Sequence, residues 1–267
     1  MTRVRVPASI ANLGPGFDVL AMAVDIWLEV DARPAKVPQW TFEGEGAEVL
    51  AATPNPLSRL RMRGTVVNEI PLGVGLGSSA AARVAAQALL GNSAPWLAAA
   101  EEEGHPDNAA AAALGGVVMV LEEYAQRLPT PDLEVALLVA DDPQPTEAAR
   151  AALTGPVSRA DAIYDLARLA ALVNSLHTRD YSVLTEALED RLHQPQRRHL
   201  YPWTEAVISA ALSAGGLGSA ICGAGPSVFA FARRGSGHEV AEAMANAAEG
   251  KGRPLVTRIA DAGLRVG

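Results

Sequence analysis

The chain has 267 residues, 49% of them apolar and only 4% aromatic, enough to bury a sizeable core as one large domain or two small ones. Its formal charge of −8 excludes broad, salt-sensitive attraction to nucleic acid or to an anionic membrane surface, so a polyanionic ligand needs a local site. The single cysteine, Cys222, excludes an intrachain disulfide and fits a reducing, cytoplasmic setting.

The N-terminus, MTRVRVPAS, lacks the apolar core of a signal peptide and alternates Arg3, Val4, Arg5, Val6, which predicts a half-buried strand at 3–7. A loop to Asp18, a strand at 24–32 and a loop-rich region to about 64 come next. A strand at 65–70 leads into a glycine loop, followed by a helix at 79–90, a second at 95–103, a short one from Asp107 and a strand at 116–121. The proline-bearing stretch Arg127–Asp132 is the best boundary and divides the chain into 1–130 and 131–267. Beyond it, Leu133–Ala140 reads as a buried strand, and Thr146 is placed as the N-cap of a helix in the stretch that starts at Pro145. Two amphipathic helices are predicted at 158–177 and 180–192, the first with Ile163, Leu166, Ala167, Ala170 and Val173 on one face. A helix at 203–214, strands at 218–222 and 227–232 and a helix at 237–249 complete the pattern. The uncharged run Ala206–Ala232 has membrane-span length, but its glycines and Pro226 break it into helix end, loop and strand. Strands mixed with helices in both halves indicate an α+β fold of two layered lobes.

The stretch PLGVGLGSSAAARVAAQALLG, Pro71–Gly91, places three glycines and two serines before a helix. A Walker loop is excluded because it needs a lysine, and the chain's only lysines are Lys36 and Lys251. A dinucleotide fingerprint fits poorly, since Ser78 stands at the third glycine position and the loop lies far from the first strand. Two readings remain: an anion held by the orphan N–H groups of a helix N-terminus, or an ordinary serine-capped helix after a turn.

Three ordered motifs resemble those of the GHMP kinase family: PASIANLGPGFDVL (Pro7–Leu20), PLGVGLGSSAA (Pro71–Ala81) and CGAGPS (Cys222–Ser227). ANLGPGFD, EGHPDN (Glu103–Asn108), PTEAAR (Pro145–Arg150) and DRLHQPQR (Asp190–Arg197) together resemble its homoserine kinase branch. The resemblance implies a two-lobe α+β fold, with a ribosomal-protein-S5-domain-2-like N-terminal lobe and a ferredoxin-like C-terminal lobe. It implies ATP-dependent phosphorylation of the hydroxyl of L-homoserine, in threonine biosynthesis, by a cytoplasmic enzyme using ATP and Mg2+.

By the same resemblance, Pro71, Leu72, Gly73, Val74, Gly75, Leu76, Gly77, Ser78, Ser79 and Ala80 cradle the ATP phosphates. Ser79 and a glutamate bind magnesium; Glu101, Glu102 and Glu103 stand in succession, and Glu103 is favoured. Asn12, Asp18, His105, Asn108 and Arg197 line the substrate pocket, Arg197 clamping the carboxylate. Asp18 and Asp107 are the carboxylates at the right motifs for a general base, or for orienting substrate and histidine. A second arginine is expected near the C-terminus, as Arg258 or Arg265, while Arg191 and His193 read as helix-end packing or salt bridging.

Three departures from the family stand out: Cys222 replaces the usual serine, Asp165 an asparagine, and only fifteen residues separate Asn55 from Pro71. The helix that relatives place there, often around the adenine, is therefore shortened or absent. A sister GHMP kinase of different substrate, or a non-catalytic ligand sensor, are the alternatives. Small residues on the helices permit a homodimer.

Overall fold

The computed structural model describes residues 1–144 and 146–267, so Pro145, the first residue of the Pro145–Arg150 stretch, lies outside the described residues. Strand β1 (Thr2–Ala11) extends beyond its predicted end, with Val4, Val6, Ala8 and Ile10 all fully buried at period 2. Pro7 has no N–H to give to a ladder and sits at a register shift between Pro7 and Ala8. Strand β2 (Leu20–Pro34) pairs antiparallel with β1.

The region expected to be loop to about 64 contains strand β3 (Gln39–Gly44) and the short helix α1 (Ala47–Ala52). The strand was hidden in the sequence because its six residues carry only two large apolar side chains, Trp40 and Phe42, which pack against the core from the sheet edge. Strand β4 (Met62–Asn68) pairs parallel with β3 and ends where the Asn68 side chain donates to the carbonyls of Glu45 and Ile70. Helices α2 (Ser78–Leu89), α3 (Pro95–Glu103) and α4 (Asp107–Leu114) follow, then the hairpin β5 (Val117–Leu121) and β6 (Tyr124–Leu128). Arg127 and Leu128 therefore belong to a strand rather than to a linker.

The second half comprises β7 (Glu134–Ala140), α5 (Thr146–Ala151), α6 (Arg159–Thr178), α7 (Leu184–Ala187), α8 (Gln194–Arg197), α9 (Thr204–Ser213), β8 (Gly218–Ile221), β9 (Val228–Ala232), α10 (Gly237–Ala247), β10 (Gly252–Arg258) and β11 (Arg265–Val266). Its sheet has the antiparallel order β10-β7-β9-β8, which with α9 and α10 is the βαββαβ arrangement of ferredoxin-like folds. The unpredicted β10 carries Pro254, which an edge strand tolerates. Along β7, Val135, Leu137 and Val139 enter the core shared with the first sheet, while Ala136 and Leu138 enter a second core under α9 and α10. Burial on both faces explains the unbroken apolar run. Strand β11 returns to pair with β1.

Two sequence expectations fail here. The helix at 180–192 reduces to α7, because Asp180 turns the chain through its bond from the Ser182 N–H, and Asp190 begins a separate capping turn. On α6 the inward face carries Asp165, Leu172, Ser175 and Leu176, whereas Ile163 and Leu166 are exposed. Polar Asp165 faces inward because it holds the turn that carries α8, as described below. No helix among the described residues is long and apolar enough to cross a membrane.

Candidate active site

The glycine loop ends at Gly77, which is left-handed at φ 67°, and α2 starts at Ser78. Gly75 is also left-handed, and a Cβ on it would stand 2.2 Å from the Cys222 carbonyl oxygen; one on Gly77 would meet Ser9 Oγ at 2.1 Å. The loop is thus pressed between the end of β1 and the Cys222–Ser227 loop, and no side chain fits at either point. Of the ten residues expected to cradle phosphates, Gly73, Gly75, Gly77, Ser78 and Ser79 line an open cleft. Pro71, Val74, Leu76 and Ala80 are buried, so they shape the loop and offer no side chain to a ligand. Leu72 lines an adjoining groove with Asn55, Pro56, Arg83 and Gln87, and that groove shares Ser78 and Ser79 with the cleft. No helix occupies 53–61; instead the Asn55 side chain accepts from the N–H groups of Leu57 and Ser58 and donates to Leu50 O.

Loops from three parts of the chain converge on the cleft. Asn12, itself left-handed at φ 73°, donates from Nδ2 to Gly223 O at 2.8 Å and accepts the Asp18 N–H on Oδ1. Asp18 is left-handed as well, at φ 57°. Non-glycine residues hold such conformations only when their surroundings dictate them, and they gather at working sites. Ser9 Oγ donates to Asn108 Oδ1 at 2.8 Å, which joins β1 to α4. Cys222 is a free, fully buried thiol whose pKa burial pushes well up, so it packs as a small apolar residue.

Three polar atoms around the cleft are buried without a hydrogen-bond partner among the described residues: Glu103 Oε2, His105 Nδ1 and Asp107 Oδ2. Such orphans are uncommon in folded proteins, and three of them around one cleft leave polar capacity there for a ligand, ion or water. Burial pushes the Glu103 carboxyl above its ordinary pKa. The neighbouring Asp107 carboxylate raises that of His105, whose Nδ1 lies 3.6 Å from Asp107 Oδ1. Of the three consecutive glutamates, Glu103 lines the cleft; Glu101 is exposed, and Glu102 lies on the surface with Gln87 and Arg83.

Two arginines face this acidic side. Arg150, on α5, grips Asp18 with both prongs at 2.6 and 3.2 Å. Arg197, on α8, is 1% exposed; its Nε donates to Ala149 O and its Nη1 to Gly223 O and His193 Nδ1. Arginine only donates, so His193 Nδ1 accepts and its proton sits on Nε2, which donates to Gly14 O at 2.8 Å. Burial lowers the His193 pKa and keeps the ring neutral. The ring also stacks on Phe17, with centroids 5.3 Å apart. His193, read from sequence as helix-end packing or salt bridging, is thus the residue that aims Arg197. Arg191 does lie on the surface, against Tyr164 and Asp161. The second arginine expected near the C-terminus is not there: Arg258 pairs with Asp25 and Arg265 lies over Trp27, both away from the cleft, and Arg150 stands in it instead. Arg150 escaped the sequence reading because its partner Asp18 is 132 positions away.

Behind α8, Asp190 accepts the N–H groups of Leu192, His193 and Gln194. Asp165 lies against Asp190 and accepts the Arg191 N–H on Oδ1, while its buried Oδ2 has no donor among the described residues. Burial and the Asp190 charge raise Asp165 to about 6. A carboxyl with a raised folded-state pKa contributes most stability at low pH and loses it as pH rises through that value. Asp165→Asn, whose amide donates to Asp190 at every pH, is therefore expected to stabilise the protein at pH 8 by about 1–3 kcal/mol and to leave it little changed near pH 4. Thermal melts across that range check this.

The C-terminal family profile of the GHMP kinases matches residues 164–250. A homoserine kinase of Thermus thermophilus is 40% identical over 98% of this chain and 97% of its own length. The chain belongs to the homoserine kinase family. Another homoserine kinase, from Gloeobacter violaceus, is 40% identical over 91% of each chain. A solved structure of homoserine kinase from Cytophaga hutchinsonii covers the whole chain and 97% of its own, with TM-score 0.86 and 29% identity. Mevalonate kinase from L. major, at 14% identity and TM-score 0.72 over 97% of this chain and 96% of its own, shares the fold. The chain is a kinase of the GHMP fold with a small-molecule substrate.

Proposed function

We propose that the protein transfers the terminal phosphoryl group of ATP to the side-chain hydroxyl of L-homoserine, giving O-phospho-L-homoserine and ADP for threonine biosynthesis. The observation that carries this reading is the pairing, in one cleft, of a lysine-free phosphate loop with two arginines facing buried carboxylates. A zwitterion matches that pairing. Its carboxylate meets Arg197 and Arg150, and its ammonium takes the place of Arg150 on Asp18, with Asn12, His105 and Asn108 around it. The hydroxyl is then turned toward the loop, where backbone N–H groups and the α2 N-terminus hold phosphate oxygens.

Ser79 Oγ and Glu103 Oε2, the latter with no hydrogen-bond partner among the described residues, form a hard-oxygen donor set that would hold Mg2+. The ion would supply positive charge to offset that developing on the transferred group. The hydroxyl oxygen attacks phosphorus as the bond to the ADP oxygen breaks. Asp18 and Asp107 are the cleft carboxylates weighed as general base, or as groups that orient substrate and histidine. At least one of Asp18→Asn and Asp107→Asn is expected to lower kcat more than about tenfold, the low edge of a general-base contribution. If both stay within that range, the proton leaves without a side-chain base.

The direct test is ADP release with ATP, Mg2+ and L-homoserine, run beside mevalonate and shikimate, with Ser79→Ala as control. Turnover with homoserine alone is expected. Turnover with another alcohol makes the protein a sister kinase, and nucleotide binding without ADP release makes it a sensor. The same reading divides the chain into lobes 1–130 and 131–267, with β11 crossing back, and places the enzyme in the cytoplasm. It also includes a homodimer, supported by the exposure of Ile163 and Leu166 at 59% and 65% on α6. Mass in solution checks the dimer.

A further inference from the structure

We infer that Arg83 is the cation that meets the nucleotide phosphates, the role for which this loop has no lysine; the inference rests on the ATP reading above. Arg83 sits one turn into α2, four residues after Ser79, where its Nη1 donates to Ser79 Oγ at 2.8 Å. Its side chain is 24% exposed and lines the groove that continues the cleft beyond the loop.

Two features make a purely structural role a poor account of this placement. The ion pair with Glu102 is loose, 3.7 Å from Nε to Oε2 and beyond hydrogen-bond length, while Glu102 Oε1 accepts from Gln87 at 2.6 Å. Arg83 Nε is buried and has no hydrogen-bond partner among the described residues. The guanidinium is thus held at the loop with donors to spare. A planar fork of N–H donors is the group that binds phosphate oxygens two at a time.

The contact with Ser79 adds a consequence. Arg83 occupies a lone pair of the hydroxyl proposed to hold the metal, so phosphate binding draws the guanidinium away and frees Ser79 Oγ for the cation.

The test is calorimetric titration of ADP and of adenosine, in EDTA, into wild type, Arg83→Met and Arg83→Lys, with melting temperatures recorded for each. Methionine keeps the stem and packing of the arginine without its charge. Arg83→Met is expected to weaken ADP at least tenfold and adenosine less than twofold, and Arg83→Lys to recover part of the ADP affinity. Equal weakening of ADP and adenosine, or no change in either, overturns the inference. Should Arg83→Met fail to fold, the salt dependence of ADP binding to Arg83→Lys and wild type decides, since identical slopes with identical affinities also overturn it. Failure of wild type to bind ADP with or without Mg2+ is a different result and overturns the ATP reading itself.

Discussion

Arg197→Met is expected to lower kcat/KM for homoserine by a factor of about 100 to 1000, with the loss in KM for homoserine and not in KM for ATP. The guanidinium is almost fully buried and is held through Nε and Nη1 by Ala149 O, Gly223 O and His193 Nδ1, while Nη2 has no protein partner among the described residues. An arginine fixed at two nitrogens and free at the third presents a pre-aimed donor whose ordering entropy was spent on folding. Burial lowers its pKa from the ordinary arginine value, so its charge lacks full solvation and gains more from a carboxylate than an exposed arginine does. Methionine has the length to refill the space, but it leaves the Ala149 carbonyl and His193 Nδ1 without their donor, while Gly223 O keeps its bond from Asn12, so some loss of melting temperature accompanies the kinetic effect. The kinetic split separates the two. A variant that merely loosened the fold would raise both KM values together. His193→Phe gives the complementary result, because it keeps the stacking on Phe17 and removes the acceptor that aims Nη1.

The parts of the fold legible in the sequence are those written in local chemistry. Pro95 at the first turn of α3 and Gly104 after its last residue fixed both ends of that helix, and the apolar run from Leu133 marked β7. What escaped depends on partners far along the chain. Strands β3 and β10 lie at sheet edges and take their structure from pairing with β4 and β7, so their own sequences are short and carry Gly or Pro. The inward face of α6 was misread because Asp165 is a polar core residue, needed by the Asp190 turn and invisible to a search for apolar periodicity. In the cleft, motif order indicated the phosphate loop, but Arg150 becomes visible only when α5 folds against Asp18. Three successive glutamates look alike in sequence. On a helix they point about 100° apart, and of the three the last lines the cleft.

That glutamate carries the other large effect. Glu103→Gln is expected to reduce kcat by about 100- to 1000-fold, the scale of losing several kcal/mol of charge stabilisation in phosphoryl transfer, and to raise the melting temperature. The two signs come from one fact. Glu103 is placed in the cleft with Oε2 buried and without a hydrogen-bond partner among the described residues, and desolvation raises its pKa despite attraction from His105 and Arg83. A carboxyl whose folded-state pKa is raised contributes stability that is present at low pH and lost as pH rises through that value. At pH 8 the free protein therefore holds this charge at a cost, and the neutral, isosteric glutamine relieves it. The gain in melting temperature is expected to shrink toward pH 4, where the carboxyl is protonated in both states. Strain of this kind persists where function requires the charge, and the proposed Mg2+ would offset it. Added Mg2+ with nucleotide should accordingly stabilise wild type more than Glu103→Gln. If the variant keeps full turnover, or melts lower than wild type at pH 8, Glu103 is a packing residue and the metal is held elsewhere.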